Sequence, residues 1–375
     1  MASFSSAGRR WLRSFNWPLA IAPVLVTMLG VLMIASADLH NPSAAAEYKK
    51  QIFYAIMGSG LMIGFSYIDY RNWRRWALYI YGVNFALLAF ILVAGHTAKG
   101  AVRWITLGPL GTFQPSEPAK LFLAIAIAAA LCRGDYKRLR DLWLPLGLTA
   151  IPALLILKQP DLGTTLVILA ILTAQLFFGL PRLQHFAAYF GGVVAVAAVT
   201  VGTNLILKPF QKARLLVFLN PKLDPQGAGY NLNQSKIAVG NGELFGRGLH
   251  QGTQTQLDFV PEHSRDFIFT VLGEELGFLG ALILISLYGV ILYGGIRTMF
   301  VARDRFGFLL AAGLVAMLVF HIMVNIGMTI GIMPITGIPL PFMSYGGSAI
   351  LTNYAAIGIL LNIYAQKDRI MLGNA

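Results

Sequence analysis

The chain has 375 residues, of which 57% are apolar and only 12% are charged, and its formal net charge is +13. This composition lies far outside that of soluble globular domains, so it excludes a soluble protein of two or three domains. A nucleic-acid-binding protein is excluded as well, because its basic residues would cluster on one soluble domain with base-stacking aromatic residues. The chain is therefore predicted to be a polytopic membrane protein.

Apolar windows recur along the whole chain at lengths that let a helix cross a bilayer. A crossing of roughly 30 Å takes about 20 residues, and only structures that satisfy their own backbone hydrogen bonds span the membrane. The predicted fold class is all-α, with ten transmembrane helices in one integral membrane domain, 1–375. The windows are 18–37, 52–68, 77–95, 119–132, 142–157, 162–180, 186–207, 267–295, 307–332 and 344–364.

The Lys and Arg residues of the short loops give the orientation, because cytoplasmic loops carry an excess of them. With a cytoplasmic N-terminus, sixteen basic residues fall inside and six fall outside when the longest loop is left aside. Both termini are therefore predicted to be cytoplasmic. The inside residues are Arg9, Arg10, Arg13, Arg71, Arg74, Arg75, Arg133, Lys137, Arg138, Arg140, Arg182, Arg297, Arg303, Arg305, Lys367 and Arg369.

The longest loop, residues 208–265, lies between the seventh and eighth predicted helices and is predicted to be periplasmic. Connections of this length are usually functional or disordered. Its prolines, glycines and aromatic residues favour an ordered loop. Its excess of basic residues suits a surface that meets a phosphate-bearing lipid headgroup, although a loop that is merely solvated would have a similar composition.

A second polar segment, residues 96–120, precedes the fourth predicted helix. Glu117 and Lys120 are three residues apart at the start of that helix, so their side chains share one face and are expected to pair. Two roles are open for them. The pair can serve to admit two charges to the membrane edge, and Lys120 or Arg103 can act as a counter-charge to a phosphate.

Ionisable residues also occur inside the predicted helices. Glu274 and Glu275 follow Asp266 in the eighth helix, and His321 lies one turn before Asn325 in the ninth. Intramembrane ionisable residues are functional candidates, so the proton or ion path of a secondary transporter is one hypothesis. A flippase for a lipid-linked precursor is another, and it would need a polar cavity reachable from both faces of the membrane.

Nine motifs occur in order between residues 99 and 348. They are Lys99-Gly-Ala-Val-Arg-Trp-Ile105, Gln114-Pro-Ser-Glu-Pro-Ala-Lys120, Gln159-Pro-Asp-Leu-Gly-Thr-Thr165, Gly227-Ala-Gly-Tyr230, Gln234-Ser-Lys-Ile-Ala238, Asp266-Phe-Ile-Phe269, Glu274-Glu-Leu-Gly277, Asn325-Ile-Gly-Met-Thr-Ile-Gly331 and Gly337-Ile-Pro-Leu-Pro-Phe-Met-Ser-Tyr-Gly-Gly-Ser348. With the ten-helix plan around them, they resemble the SEDS family (shape, elongation, division and sporulation). Each motif alone is weak, but nine in register are specific.

The resemblance implies a peptidoglycan glycosyltransferase of the bacterial inner membrane, with its active site facing the periplasm. Such proteins join lipid II units into glycan strands during cell-wall elongation. They work with a class B penicillin-binding protein and other elongation-complex membrane proteins, among membrane lipids and without nucleic acid. The family's catalytic aspartate corresponds to Asp266, its paired acid and base to Glu117 and Lys120, and its Arg-Trp pair to Arg103 and Trp104.

The chemistry fits these residues independently of the resemblance. Forming a β-1,4 bond from an α-linked lipid pyrophosphate inverts the anomeric carbon, so one carboxylate can take the proton of the acceptor hydroxyl. Asp266 is predicted to be that base, in an ionised form favoured by the dipole of the following helix. Capping that helix is its alternative role.

The charge on the leaving pyrophosphate needs cations or a metal ion. The candidate cations are Arg103, Lys120, Lys208 and Arg214, and Glu262 is a further substrate-binding candidate. No cofactor motif is evident in the sequence. A divalent metal ion stays open, although no Asp-x-Asp pair or His cluster marks a site for it.

Overall fold

The computed structural model describes residues 15–37, 45–94, 96–98, 101–106, 108, 111–203, 209–220, 224, 227–257 and 259–367. In this part of the chain, ten helices have 16 residues or more. They are α1 (Trp17–Ala37), α2 (Ala45–Tyr67), α3 (Tyr70–Ala94), α4 (Ser116–Leu131), α5 (Trp143–Lys158), α6 (Leu162–Gly179), α7 (Leu183–Gly202), α10 (Ile268–Val301), α11 (Arg305–Ile330) and α12 (Gly347–Ala365).

Each predicted window falls on one of these helices, and eight helices are long and apolar enough to cross a membrane. The two long helices outside that set are α2 and α4. Two helices begin seven residues earlier than predicted, α2 at Ala45 and α3 at Tyr70. Lys and Arg residues lower the hydropathy of their first turns, but these residues are good helix formers, so the helix continues through them.

The central helices are α4, α11 and α12, which are apolar around most of their circumference and bury most of their residues. Such helices are typical of the interior of a bundle. Small residues bring their neighbours close. A Cβ at Gly58 of α2 would collide with the Tyr354 ring of α12, and one at Gly358 of α12 would collide with the backbone of Met62. This close approach is how membrane helices gain packing without a hydrophobic driving force.

A small antiparallel sheet precedes α4 and was not predicted. It consists of β1 (His96–Ala98), β2 (Ala101–Thr106) and β3 (Thr112–Phe113), in the order β1-β2-β3. Strands this short contain too few residues to show a two-residue hydrophobic period. The fold that was predicted to be all-α thus includes a small sheet, and this sheet carries Arg103 and Trp104.

The long loop is ordered in its described residues, as its composition predicted. It contains α8 (Pro209–Leu219), α9 (Ala228–Asn241) and a helical turn at Thr253–Gln256. Helix α9 packs against both α10 and α11. This part of the loop therefore packs against the long helices of the bundle.

Helix α10 is broken at Gly277, whose φ of 63° and ψ of −158° are not helical. The loop fills the break. The N–H groups of Phe278 and Leu279 donate to the carbonyls of Glu243 and Leu244 at 2.9 and 3.1 Å. In return, the carbonyls of Glu274 and Glu275 accept from the N–H groups of Arg247 and Gly248 at 2.9 and 3.0 Å. The loop thus supplies the hydrogen bonds that the helix lacks at its break, as a buried backbone requires.

We expect Gly242→Ala to destabilise this junction. A Cβ at Gly242 would overlap the carbonyl oxygen of Gly273, which is backbone and cannot rotate away. Overpacking of this kind typically costs about 1 to 3 kcal/mol, so the purified protein should melt several degrees lower in detergent.

Gly240→Ala is the matched control, because a Cβ at Gly240 meets nothing within 4 Å and the residue lies inside α9. It should leave the melting temperature unchanged or raise it slightly, since Ala is the better helix former. Equal melting temperatures for the two variants would contradict the proposed contact.

Candidate active site

A cavity of about 780 Å³ opens near the start of α10. Its walls come from the start of α2, the sheet, the starts of α4, α6 and α12, helix α8, and the loops before α10 and after α11. The predicted site residues that line it are Arg103, Trp104, Glu117, Lys120, Arg214, Glu262 and Asp266. Lys208 lies outside the described residues. The fold thus gathers residues that are widely separated in sequence.

Asp266 is half-buried on the cavity wall, just before α10. The residue that caps α10 is Phe267, and the cap makes no side-chain hydrogen bond. The alternative role of Asp266 as a helix cap is therefore wrong. The predicted stabilisation of its ionised form is also wrong, because burial, reinforced by the charge of Glu262, raises the pKa of Asp266 to about 6. Arg214 and Arg265 oppose this shift without cancelling it.

The main chain around Asp266 is held by side chains from other elements. The Nδ2 amide of Asn325 donates to the carbonyl of Asp266 at 2.8 Å and to that of Ile338 at 2.7 Å. The Ser344 hydroxyl donates to the carbonyl of Arg265 at 2.6 Å. Asn325 therefore ties Asp266 to the loop after α11.

Glu47, at the start of α2, holds the same segment from another side. Its carboxylate accepts from the Ser264 hydroxyl at 2.9 Å and from the Arg265 guanidinium at 3.2 Å. The guanidinium also lies 5.5 Å from the ring centre of Tyr345. Sequence analysis missed Glu47, because its partners lie more than 200 residues away and no local motif surrounds it.

The predicted pair of Glu117 and Lys120 is present, with Nζ 2.8 Å from Oε2 and both side chains almost fully buried. Lys120 has a second partner that the sequence did not reveal, since its Nζ lies 2.9 Å from Nε2 of His321. The other ring nitrogen of His321 lies 2.7 Å from the carbonyl of Met317. A neutral imidazole that donates from Nδ1 to Met317 therefore accepts from Lys120 at Nε2.

Two arginines bring positive charge to the cavity. Arg103 donates from Nε to the carbonyl of Gln159 at 2.6 Å and from Nη2 to the carbonyl of Pro160, so it also fixes the turn before α6. Arg214 of α8 is largely desolvated, which lowers its pKa, whereas the charge of Asp266 raises it.

Gly337 separates Arg214 from Asp266. Its φ of +70° favours glycine, and a Cβ there would lie 3.2 Å from Oδ2 of Asp266 and 3.6 Å from Nη1 of Arg214. The carboxylate and the guanidinium therefore face the same small space.

Asp161 also lines the cavity, where its carboxylate accepts from the side-chain amide of Gln114 at 3.2 Å and caps a helix. Its carboxylate accepts from the N–H of Thr164 at 3.1 Å and from the Thr164 hydroxyl at 3.0 Å, at the start of α6. Among the described residues, no group of three His, Cys, Asp or Glu side chains is arranged to hold a metal ion.

Glu274 and Glu275, the acids of the proton path in the transporter hypothesis, lie outside this cavity. Glu274 accepts hydrogen bonds from the N–H groups of Gln254 and Thr255 at 2.8 and 3.1 Å, and Glu275 accepts from the Ser36 hydroxyl at 2.5 Å. These buried carboxylates anchor the long loop and α1. Neither of them lines the cavity that contains His321.

Known proteins resemble this chain along nearly its whole length. The family profile of FtsW, RodA and SpoVE, described as a cell cycle protein, matches residues 17–369. The peptidoglycan glycosyltransferase MrdB of Escherichia coli K12 is 36% identical over 349 residues, which cover 92% of this chain and 94% of MrdB. The peptidoglycan glycosyltransferase RodA of Treponema pallidum is 33% identical, with coverage of 96% and 99%.

Solved structures show the same fold. A chain from a peptidoglycan synthase complex, described as coordinating polymerization and crosslinking, matches with a TM-score of 0.81 at 30% identity and covers 95% of this chain and 99% of its own. The rod shape determining protein RodA of Thermus thermophilus matches with a TM-score of 0.70 at 29% identity, with coverage of 94% and 98%. The chain therefore belongs to the FtsW/RodA/SpoVE family, the one that its motifs between residues 99 and 348 resemble.

Proposed function

We propose that this protein, a peptidoglycan glycosyltransferase by its family and its curated relatives, polymerises lipid II with Asp266 as the general base. The observation that carries the proposal is the placement of Asp266 on the wall of a cavity that also contains Arg103, Lys120 and Arg214. A proton acceptor and cations for a departing phosphate are thereby brought to one compartment.

In the proposed reaction, the acceptor sugar hydroxyl attacks the anomeric carbon of the donor. Its oxygen forms the new glycosidic bond, the bond from that carbon to the pyrophosphate breaks, and the electron pair leaves with the pyrophosphate. The hydroxyl proton passes to Asp266. A carboxylate with a pKa of about 6 is a stronger base than an exposed aspartate and is still mostly ionised at pH 7.

Arg214 is the cation best placed to receive the negative charge that develops on the pyrophosphate, because Gly337 leaves open space between it and Asp266. Arg103 adds a further positive charge on the cavity wall, and the other proposed substrate contacts are Lys120, Trp104, Glu117 and Glu262. Fixed charges in a partly desolvated site stabilise such a transition state better than water does.

We further propose that all ten long helices cross the membrane within one domain, with both termini cytoplasmic and the cavity and the loop 208–265 facing the periplasm. Apart from His321, the cavity residues lie in the segments that follow α1, α3, α5, α7 and α11 or near the starts of the helices after them. The basic residues of the short loops are most frequent around the segments that follow α2, α4, α6, α10 and α12. The inner membrane is the proposed location.

The proposed topology can be tested with alkaline phosphatase, which is active only outside the cytoplasm. A fusion near Gly229 should be active and one after Ala375 should be inactive. The opposite pattern at either site would contradict the ten-helix topology.

The proposed partner is a class B penicillin-binding protein that crosslinks the glycan product, together with other elongation-complex membrane proteins. Support comes from the structural neighbour that couples polymerization to crosslinking, whose fold covers nearly all of this chain.

We expect Asp266→Asn to leave a folded protein that polymerises lipid II about 10²–10⁴-fold more slowly, because the amide keeps the size of the side chain but cannot accept the proton. Glycan product from purified lipid II measures the rate. Asp135→Asn is the control, because this aspartate is exposed and lies in the segment after α4. Near-normal polymerisation by folded Asp266→Asn protein would remove Asp266 from the mechanism.

The same assignment predicts the acid limb of the pH profile. Only the ionised carboxylate accepts a proton, so activity is present above the pKa of Asp266 and is lost as the pH falls through about 6. The rate at lipid II concentrations well below KM, which reports the groups of the free protein, should then fall about tenfold per pH unit below about 6. A rate that stays constant down to pH 5, with the protein still folded, would contradict this role.

We expect Lys120→Met to destabilise the protein by about 3 to 5 kcal/mol, because it leaves the Glu117 carboxylate buried without its cation. The double variant Glu117→Gln/Lys120→Met buries no charge, so its melting temperature should return close to that of the wild type. Its polymerisation rate should stay low if Lys120 also contacts substrate phosphate. Recovery of both stability and rate would show that the pair is purely structural.

A further inference from the structure

A second cavity, of about 380 Å³, opens on the outer surface between α1 and α10, at the end of α10 opposite the active site. We refer to it as the lower groove. It is lined by Asn16, Pro18, Ser286, Gly289, Tyr293 and Arg297, among others. The exposed surface around it is apolar, with Ile21, Leu25, Ile285 and Val290 among the exposed side chains of the two helices. The lower groove therefore faces lipid.

The shape of the lower groove follows from two glycines of α10. A Cβ at Gly294 would lie 3.0 Å from Cβ of Leu19, so the two helices touch there, whereas a Cβ at Gly289 would meet nothing within 4 Å. From Arg297 to Ser286 the groove extends over about 16 Å at 1.5 Å per residue. This length is close to half of a hydrocarbon core of roughly 30 Å. The groove thus has the depth of one leaflet.

Two polar groups lie at the end of the lower groove that is closest to the membrane surface. Asn16 is only 7% exposed, and its Nδ2 amide has no hydrogen-bond partner among the described residues. Its oxygen accepts from the N–H of Leu19 at 3.4 Å, so the amide group is oriented. A buried donor without a partner is rare and unfavourable. This one lies in the wall of a cavity where a ligand can satisfy it.

Arg297 supplies positive charge at the same end. Its side chain is exposed, and the guanidinium lies 5.5 Å from the ring centre of Tyr364. The Nζ of Lys367 lies 3.9 Å from the same ring. Two cations therefore lie beside one aromatic ring, and Arg297 is the one that also lines the groove.

We propose that the lower groove is a binding site for an anionic phospholipid. The phosphate accepts hydrogen bonds from Arg297 and from Nδ2 of Asn16, and one acyl chain lies along Gly289 toward the middle of the bilayer. An anionic lipid is favoured over a zwitterionic one. A zwitterionic headgroup carries a cation of its own, and two cations already lie at this end of the groove. In the proposed topology this lipid belongs to the cytoplasmic leaflet.

The test uses the purified full-length protein in bilayer discs of phosphatidylethanolamine with a small fraction of photoactivatable phosphatidylglycerol. Both leaflets of a disc have the same composition, so the result does not depend on topology. Gly289→Leu places a side chain in the groove at a position where a Cβ meets nothing within 4 Å, and Arg297→Gln removes the charge of the groove. The matched controls are Gly191→Leu, at an open glycine of the exposed helix α7, and Arg182→Gln, at an exposed arginine.

We expect phosphatidylglycerol to crosslink to peptides from α1 and the second half of α10, and to do so at least about tenfold less in Arg297→Gln, the effect of losing one charge-assisted hydrogen bond. Gly289→Leu should abolish the crosslink, and both controls should retain it. Equal crosslinking in all four variants would overturn the proposal. So would loss in Gly289→Leu with no effect of Arg297→Gln, because that result would indicate an unselective annular lipid.

A third result would also overturn the proposal. If Gly289→Leu leaves the lipid crosslink unchanged but prevents association with a class B penicillin-binding protein, the occupant of the groove is a partner helix. Polymerisation of lipid II by each variant shows whether the active site is intact. Failure of the groove proposal is thereby distinguished from failure of the proposed function.

Discussion

The backbone hydrogen bonds at the break in α10 are the interaction on which the arrangement of the site depends. A transmembrane helix cannot leave carbonyl and N–H groups unpaired in an apolar surrounding, and at Gly277 the partners come from residues 243–248 of the long loop. The carboxylates of Glu274 and Glu275 bind further loop and helix groups around the same break. The long loop, held in this way, places Arg214 opposite Asp266, which lies just before α10.

The charged residues at the buried floor of the cavity differ from those near its opening. At the buried floor, Lys120 is matched by Glu117 and by the lone pair of His321, so the floor carries little net charge. Nearer the opening, three arginines and Lys50 line the cavity beside four carboxylates, those of Glu47, Asp161, Glu262 and Asp266, while burial makes Asp266 easier to protonate. The proposed base and the proposed cations for the leaving group, Arg103 and Arg214, therefore lie together in the upper part of the cavity.

Much of this arrangement is readable from sequence, for physical reasons that also explain what is not. Hydropathy locates the long helices because most of them are apolar over the length of a bilayer crossing, and the i,i+3 spacing reveals the pair of Glu117 and Lys120. The prediction that Asp266 is the general base rests on the motifs, since an aspartate that capped the helix would have the same local sequence. Glu47 and Arg265 are 218 residues apart. The helix break at Gly277 depends on hydrogen bonds to residues of the long loop. Contacts of this range have no local signal.

The buried floor of the cavity has a consequence for the permeability of the membrane. A water-filled cavity open to one face would shorten the barrier to protons unless the remaining protein were free of ionisable groups. Below Lys120, residues 121–131 of α4 are apolar and mostly buried over about 16 Å, and residues 306–320 of α11 contain no ionisable side chain. This seal is comparable to half of a bilayer. Neither stretch therefore offers a side chain that could pass a proton through the bilayer beneath the cavity.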